Sequence, residues 1–145
     1  MNEQALRNYG ITLLRVSLGT IFIAHSLYLK LVIFTLPGTA QFFGSIGLPP
    51  QLAYLVFAME ALGGIALLAG FQTRWVALVL TPVALGATWA HSGAGWLFTN
   101  TGGGWEYPLF LAVAVFSQAL LGDGALAIQR SSPLGRWGQR QPVTA

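Results

Sequence analysis

The sequence predicts an all-α membrane protein, a bundle of four transmembrane helices, and composition is the first observation behind this prediction. Hydrophobic residues make up 54% of the 145-residue chain, and charged residues make up only 8%. Ordinary soluble domains carry roughly 25% charged residues, so a soluble fold of this composition could not cover its own surface with polar groups. A chain of this length forms a single domain.

The second observation is that the chain contains four apolar segments. A helix that crosses the hydrocarbon core of a bilayer needs about 20 mostly apolar residues. The predicted spans lie at residues 9–34, 52–70, 75–91 and 107–121. Stretches that contain Pro or Gly separate them, as expected where helices end and turns begin.

The connection between the first and second spans predicts a further short helix. Residues 38–47 are too few to cross a bilayer and too apolar for a free loop. Phe42, Phe43 and Ile46 would share one side of a helix at this position. We therefore expect a short interfacial helix here, on the outer surface of the bilayer or across the end of the bundle.

The distribution of cations predicts the orientation of the chain. Six of the seven cations fall on one side of the predicted spans, and only Lys30 falls on the other; the six are Arg7, Arg15, Arg74, Arg130, Arg136 and Arg140. Since cations accumulate on the cytoplasmic side, this pattern predicts a multi-pass protein of the cytoplasmic (inner) membrane with both termini inside. Residues 123–145 are expected to form a loose cytoplasmic tail. The net charge of +3 forms no basic stripe, so no nucleic-acid partner is expected.

Glu60 and His25 are the candidate catalytic residues, through the handling of protons. An ionisable side chain inside a span is costly unless it has a partner, so each such residue is a candidate site. At 1.5 Å per residue, Glu60 lies near the bilayer midplane and His25 about one turn outward, so the two can be neighbours. The alternative is that both only form hydrogen bonds that join helices.

A candidate ligand-binding set lies towards the outer ends of the spans. His91 ends the third span and Glu106 begins the fourth, so they can form a second pair above the first. Trp89 and Trp105 lie near span ends, where indole rings meet the headgroup region. Arg15 completes the set, although Glu106 could instead simply cap its helix.

One stripe of the first span carries several polar residues. At 100° per residue, Arg15, Gly19, Ser26 and Lys30 lie on one face, and His25 is displaced by roughly 80°. Lys30 is expected to extend its ammonium group to the outer interface.

Several kinds of chemistry are excluded or disfavoured by the sequence. The chain has no cysteine, which excludes thiol redox chemistry and thiolate metal ligands. The two histidines and the carboxylates lack the local spacing of metal ligands, so no metal site is predicted. Motifs for nucleotide binding, haem attachment or a nucleophile elbow do not occur.

The order of the polar and glycine motifs resembles that of the DoxX family. The motifs are Arg15, Ala24-His25-Ser26 with Lys30, Gly38-Thr-Ala-Gln-Phe-Phe43, Gly47-Leu-Pro49, Glu60-Ala-Leu-Gly-Gly64, Gly70-Phe-Gln-Thr-Arg74, His91 and Gly103-Gly-Trp-Glu-Tyr107. The resemblance implies a four-helix membrane bundle, and it links the chain to quinone-reducing oxidoreductase assemblies. It also makes the polar residues counterparts of recurrent family positions, namely Arg15, His25, Glu60, Arg74, His91 and Glu106.

The leading hypothesis for function is a membrane subunit of an oxidoreductase system that handles a quinone or a similar small redox molecule. A partner protein would supply the electrons, and the chain could also form a homo-oligomer in the lipid bilayer. The competing hypotheses are a small transporter or channel, in which Glu60 and the histidines relay protons, and a structural membrane anchor without catalysis.

Overall fold

A computed structural model describes residues 2–132 of the chain, and the regular elements in this range are helices joined by turns and loops. The α-helices are α1 (Glu3–Ile23), α2 (Leu36–Ser45), α3 (Leu52–Ala69), α4 (Thr73–Ala90) and α5 (Glu106–Leu121). Within residues 2–132, the only β-type pairing is one isolated bridge between Phe71 and Gln129. The predicted all-α class is therefore confirmed.

The first helix is longer than predicted and changes its geometry on the way. It begins at Glu3, where the Asn2 side chain accepts a hydrogen bond from the Ala5 amide and caps the helix. After Ile23 it continues as a π-helical segment, Ala24–Ile33. The wider register is visible at the end of this segment, where the Phe34 amide donates to the Leu29 carbonyl at 2.8 Å. π-helical geometry is rare, and its usual form, a single-turn bulge inside an α-helix, is frequent at functional sites.

Two of these helical segments are long and apolar enough to cross a membrane, Glu3–Ile33 and Leu52–Ala69. Helix α5 is also apolar but has 16 residues. Large apolar side chains cover much of the outer surface, such as Leu62 on α3 and Phe110 on α5, each 70% exposed. Side chains of this kind are the ones that a hydrocarbon solvent would accept.

A short helix does lie between the first and second long helices, as the sequence predicts. Helix α2 begins after Thr35, whose side chain accepts from the Gly38 amide. Its buried residues are Thr39 and Ala40, whereas Phe42 is exposed. The most buried positions of α2 are therefore small residues, and on the predicted apolar side Phe43 and Ile46 are half-buried while Phe42 is exposed.

Helices α1 and α3 approach each other closely at two glycines. A Cβ atom on Gly19 would lie 2.9 Å from the Gly64 carbonyl oxygen, and one on Gly64 would lie 3.0 Å from the Gly19 carbonyl oxygen. Next to this contact, the core is formed by buried apolar side chains of α1, α3, α4 and α5, including Leu18, Phe22, Leu67, Leu80 and Val115. Small residues are what allow helices in membranes to pack at this distance.

We expect Gly64→Ala to lower the melting temperature of the detergent-solubilised protein. The new methyl group would lie 2.8 Å from the Ile23 Cγ1 atom, so α1 and α3 would have to separate, at a cost of about 1–3 kcal/mol. Gly86→Ala is the matched control, because it lies inside α4 with nothing within 4 Å of the added carbon. Equal melting temperatures for the two variants would contradict the close approach.

The predicted loose tail is wrong over its first residues. Residues 122–131, which we call the C-terminal strap, fold back across the end of the bundle that also holds the start of α1 and the α3–α4 turn. The Ala125 amide donates to the Asn8 carbonyl, and the Gln129 amide donates to the Gly70 carbonyl. These backbone hydrogen bonds hold the strap in place. Residues 133–145 of the predicted tail lie outside the described residues.

Polar side chains reinforce the strap. The Asp123 carboxylate accepts from the Thr73 amide and from both the amide and the hydroxyl of Ser131. Arg15 donates to the carbonyls of Asp123 and Leu126, at 2.7 and 3.2 Å. Arg74 donates to the carbonyls of Ala119 and Leu120 at the end of α5. The composition of residues 123–145 predicted a loose tail. The residues that hold the strap come from distant parts of the sequence, so the sequence could not reveal these contacts.

Candidate functional site

The central feature of the candidate site is an ion pair between Lys30 and Glu60. The Lys30 Nζ atom lies 2.6 Å from the Glu60 Oε2 atom. The two side chains are only 16% and 8% exposed, so the pair is largely shielded from solvent. The prediction that Lys30 extends to the interface is therefore wrong, and the partner of Glu60 is Lys30, whereas the sequence suggested His25.

The π-helical segment and α3 position this pair. Lys30 lies near the end of the π-helical segment, on the same stripe as the buried residues Arg15, Gly19 and Ser26. The buried Ser26 hydroxyl donates to the Phe22 carbonyl at 2.8 Å, so it needs no partner on another helix. The predicted polar stripe thus faces the bundle, and its outermost member meets Glu60.

His25, on the same π-helical segment as Lys30, contacts α5. It is half-buried, and its ring stacks on Tyr107 with the ring centroids 6.0 Å apart and the planes 15° apart. It also lies within electrostatic range of Lys30 and His91. His25 therefore packs against the start of α5 within electrostatic range of Lys30.

His91 and Glu106 do not form the predicted pair. The His91 Nδ1 atom lies 2.9 Å from the Gly102 carbonyl oxygen, and its ring stacks on Phe42 with centroids 6.4 Å apart. Glu106 accepts instead from the Phe98 amide at 3.0 Å. The loop between α4 and α5 folds back and supplies both partners, which sequence positions alone could not show.

An open, mostly apolar groove of about 500 Å³ lies on the outside of α5 next to these residues. Its lining residues are Trp96, Phe98, Glu106, Tyr107, Leu109, Phe110 and Val113. Tyr107 both lines the groove and stacks on His25. A molecule seated in the groove would therefore lie one aromatic ring away from His25.

The remaining candidate residues are divided between this region and the far end of the bundle. The Trp105 ring meets the Trp96 ring edge-on with centroids 4.5 Å apart, at the margin of the groove. Trp89 is 56% exposed on α4. Arg15 is 1% exposed and binds the C-terminal strap, so it lies at the opposite end from the ion pair.

The structure thus brings together Lys30, Glu60, His25 and Tyr107 at the end of the bundle that carries the α4–α5 loop, which we call the loop end. Sequence reasoning missed the roles of Lys30 and Tyr107. The sequence did indicate that Lys30 faces the bundle, because Lys30 lies on the same helical stripe as Arg15. For Tyr107, the sequence offered only its place beside Glu106. Within residues 2–132, no group of three or more His, Asp or Glu side chains is close enough to hold a metal ion.

These features define a small helical membrane protein with a buried ion pair at one end. In a comparison with known proteins, the DoxX family model matches residues 10–93. The chain therefore belongs to the DoxX family. The chain is also similar to a protein of Bacillus subtilis (strain 168) named "Putative oxidoreductase CatD", with 42% identity over 78 residues. The alignment covers 54% of this chain and 56% of that relative, so the chain spans little more than half its length. No solved structure matches the chain.

Proposed function

We propose that the chain is a membrane subunit of an oxidoreductase system, and that its loop end holds a quinone or a similar small redox molecule. The observation that carries this proposal is the shielded Lys30–Glu60 pair, with His25 within electrostatic range of Lys30. Reduction of a quinone requires protons at its carbonyl oxygens, and groups that can give up a proton in a dry site are suited to supply them. The relative named as an oxidoreductase supports the same class of chemistry.

The groove on α5 gives such a molecule a route from the bilayer. A quinone has a planar ring and an apolar tail. Phe110 and Val113 line the groove, and so does Tyr107, whose ring stacks on His25. In this arrangement the tail lies along α5, and the ring lies against Tyr107. Glu60 and His25 then handle protons, whereas Lys30 holds the Glu60 carboxylate in position. Electrons come from a redox partner protein, because the chain has no cysteine and no recognised cofactor motif.

The proposal includes four transmembrane helices in the cytoplasmic membrane. One end of the bundle holds the α3–α4 turn, the start of α1 and the C-terminal strap. This arrangement is what an even number of membrane crossings requires. Arg7, Arg15, Arg74 and Arg130 belong to that end, whereas Lys30 belongs to the loop end. By the positive-inside rule, the strap end faces the cytoplasm.

This topology is tested by reporter tags. Tags placed before Asn2 and after Ala145 should both report the cytoplasm, and a tag near Thr99 in the α4–α5 loop should report the opposite side. If either terminus were found outside, the four-span topology would be wrong.

The redox proposal is tested by mass spectrometry of the protein purified in mild detergent. We expect a bound quinone-type molecule or a stoichiometric redox protein. Glu60→Gln, which cannot release a proton, should retain the fold and lose quinone-linked activity. Absence of both bound molecule and partner from protein that melts cooperatively would contradict the proposal.

The buried ion pair also favours a second candidate, a small proton-coupled transporter. Paired charges inside membrane helices recur along ion and proton pathways. Flux measurements in liposomes distinguish this candidate, because a transporter moves solute without a redox partner. A protein with neither activity that tolerates apolar replacement of Glu60 and His25 would be a structural anchor.

A further inference from the structure

The two most exposed large apolar side chains among the described residues both lie on the C-terminal strap. Leu126 is 76% exposed and Ile128 is 74% exposed. Ala127, between them, is half-buried and packs on Gly70 at the end of α3. The strap thus turns its small residue to the bundle and its two large apolar side chains to the surroundings, which makes it a candidate interaction surface.

The hydrogen bonds of the strap fix its depth relative to the membrane. The Ile128 amide donates to the Ala69 carbonyl, and the Gln129 amide donates to the Gly70 carbonyl, both at 3.2 Å. Ala69 is the last residue of α3, which is one of the two helical segments long and apolar enough to cross a membrane. Because a spanning helix ends where the hydrocarbon core meets the headgroups, Ile128 lies at that boundary.

The net positive charge of the chain lies in the same segment. Residues 1–123 contain four cations and four acidic residues, whereas residues 124–145 contain three arginines and no acidic residue. The whole net charge of +3 therefore follows Asp123. Arg130 is exposed two positions after Ile128, and Arg136 and Arg140 lie outside the described residues. Basic segments next to a membrane span are attracted to leaflets that carry anionic phospholipids.

We propose that the strap is a lipid-binding surface that recognises anionic phospholipid headgroups. Leu126 and Ile128 enter the boundary between acyl chains and headgroups, and Arg130, with the arginines that follow it, meets the anionic groups. An acidic protein would match the charge, but it would have to displace the headgroups at the end of α3, so the depth of Ile128 favours lipid. The proposal requires α3 to cross the membrane and does not depend on the proposed redox function.

A single fluorescent label on the strap tests this proposal, because the chain has no cysteine of its own. Ile128→Cys receives a small fluorophore, and the full chain is placed in nanodiscs of phosphatidylcholine with or without phosphatidylglycerol. Part of the phosphatidylcholine carries a nitroxide on its acyl chain near the headgroup, which quenches a fluorophore at the boundary. We expect quenching of the label, and we expect phosphatidylglycerol to strengthen it.

Charge variants of the labelled protein test the role of the arginines. Arg130→Gln/Arg136→Gln/Arg140→Gln should lose most of the effect of phosphatidylglycerol, since each cation near an anionic surface strengthens the attraction roughly fivefold. Arg7→Gln is the matched control, because Arg7 is an exposed cation of α1 at the same end of the bundle. This control should keep the effect, and an equal loss in both variants would overturn the proposal.

Two further results would also overturn the lipid-binding surface. One is a label that the nitroxide lipids do not quench, or quench equally in both lipid mixtures. The other is a label that water-soluble iodide reaches in nanodiscs but not in native membrane vesicles, which would assign the strap to a partner protein. Leu126→Cys provides a second labelling site, so the test does not depend on the folding of one variant.

Discussion

Replacing Glu60 by leucine is expected to lower the free energy of unfolding by about 1–3 kcal/mol, because it leaves the Lys30 ammonium group shielded without a carboxylate. The range includes values as low as about 1 kcal/mol because Lys30 is already 16% exposed. In the variant its ammonium group can turn partly towards the interface.

The double variant Lys30→Met/Glu60→Leu should recover most of the loss. It removes both charges together, and replacing a buried ion pair with apolar residues is often neutral or stabilising. Detergent melting of the wild type, the two single variants and the double variant forms a double-mutant cycle. Strictly additive effects would show that Lys30 and Glu60 do not interact.

Glu60→Gln separates the structural role of Glu60 from its chemical role. The amide keeps an acceptor for Lys30 but cannot exchange a proton, so stability should lie between those of the wild type and Glu60→Leu. Quinone-linked activity should be lost. Full activity in a Gln variant that melts normally would reduce Glu60 to a helix-joining residue.

Gly70→Ala is expected to have the other large effect, a loss of about 3 kcal/mol or more. Gly70 ends α3 with φ of 70°, a left-handed conformation that costs alanine about 1 kcal/mol. Its added carbon would also lie 2.6 Å from the Ala127 Cα atom of the strap and would collide with the Arg15 guanidinium group. The strap and Arg15 would both have to move, so we expect lower yield and a lower melting temperature.

Gly47→Ala is the matched control for Gly70→Ala. Gly47 also has positive φ, at 82°, but nothing lies within 4 Å of an added Cβ atom. It therefore measures the backbone strain without the collision. If the two variants were equally stable, the close packing of the strap against Gly70 would be wrong.

The sequence predicted the helices well, since apolar runs and their Pro and Gly boundaries are local signals. The predicted span at residues 52–70 corresponds to Leu52–Ala69, and the one at residues 107–121 corresponds to Glu106–Leu121. The start of α1 was missed because residues 3–8 are mostly polar, and hydropathy does not register the Asn2 cap. The strap was missed because its stability depends on contacts with α1 and the α3–α4 turn.

The candidate site was only partly predictable. Glu60 and His25 could be singled out because ionisable residues in apolar helices are conspicuous. The partner of Glu60 was not identified, because a lysine near the end of a span usually extends its ammonium group to the interface, whereas Lys30 turns inward to Glu60. The expected pairing of His91 with Glu106 failed because a loop backbone provides hydrogen-bond partners that no side-chain pattern reveals.

The most direct test of the central claim is a titration of the protein in lipid nanodiscs with a short-chain quinone, followed by tryptophan fluorescence. Trp96 lines the groove and Trp105 packs against it, so a quinone bound there should quench their emission. We expect saturable quenching of the wild type. In Lys30→Met/Glu60→Leu, binding should be weaker by at least about tenfold, as the loss of a hydrogen bond to a charged group implies. Equal binding by both proteins, or no saturable quenching of the wild type, would contradict a redox site at the ion pair.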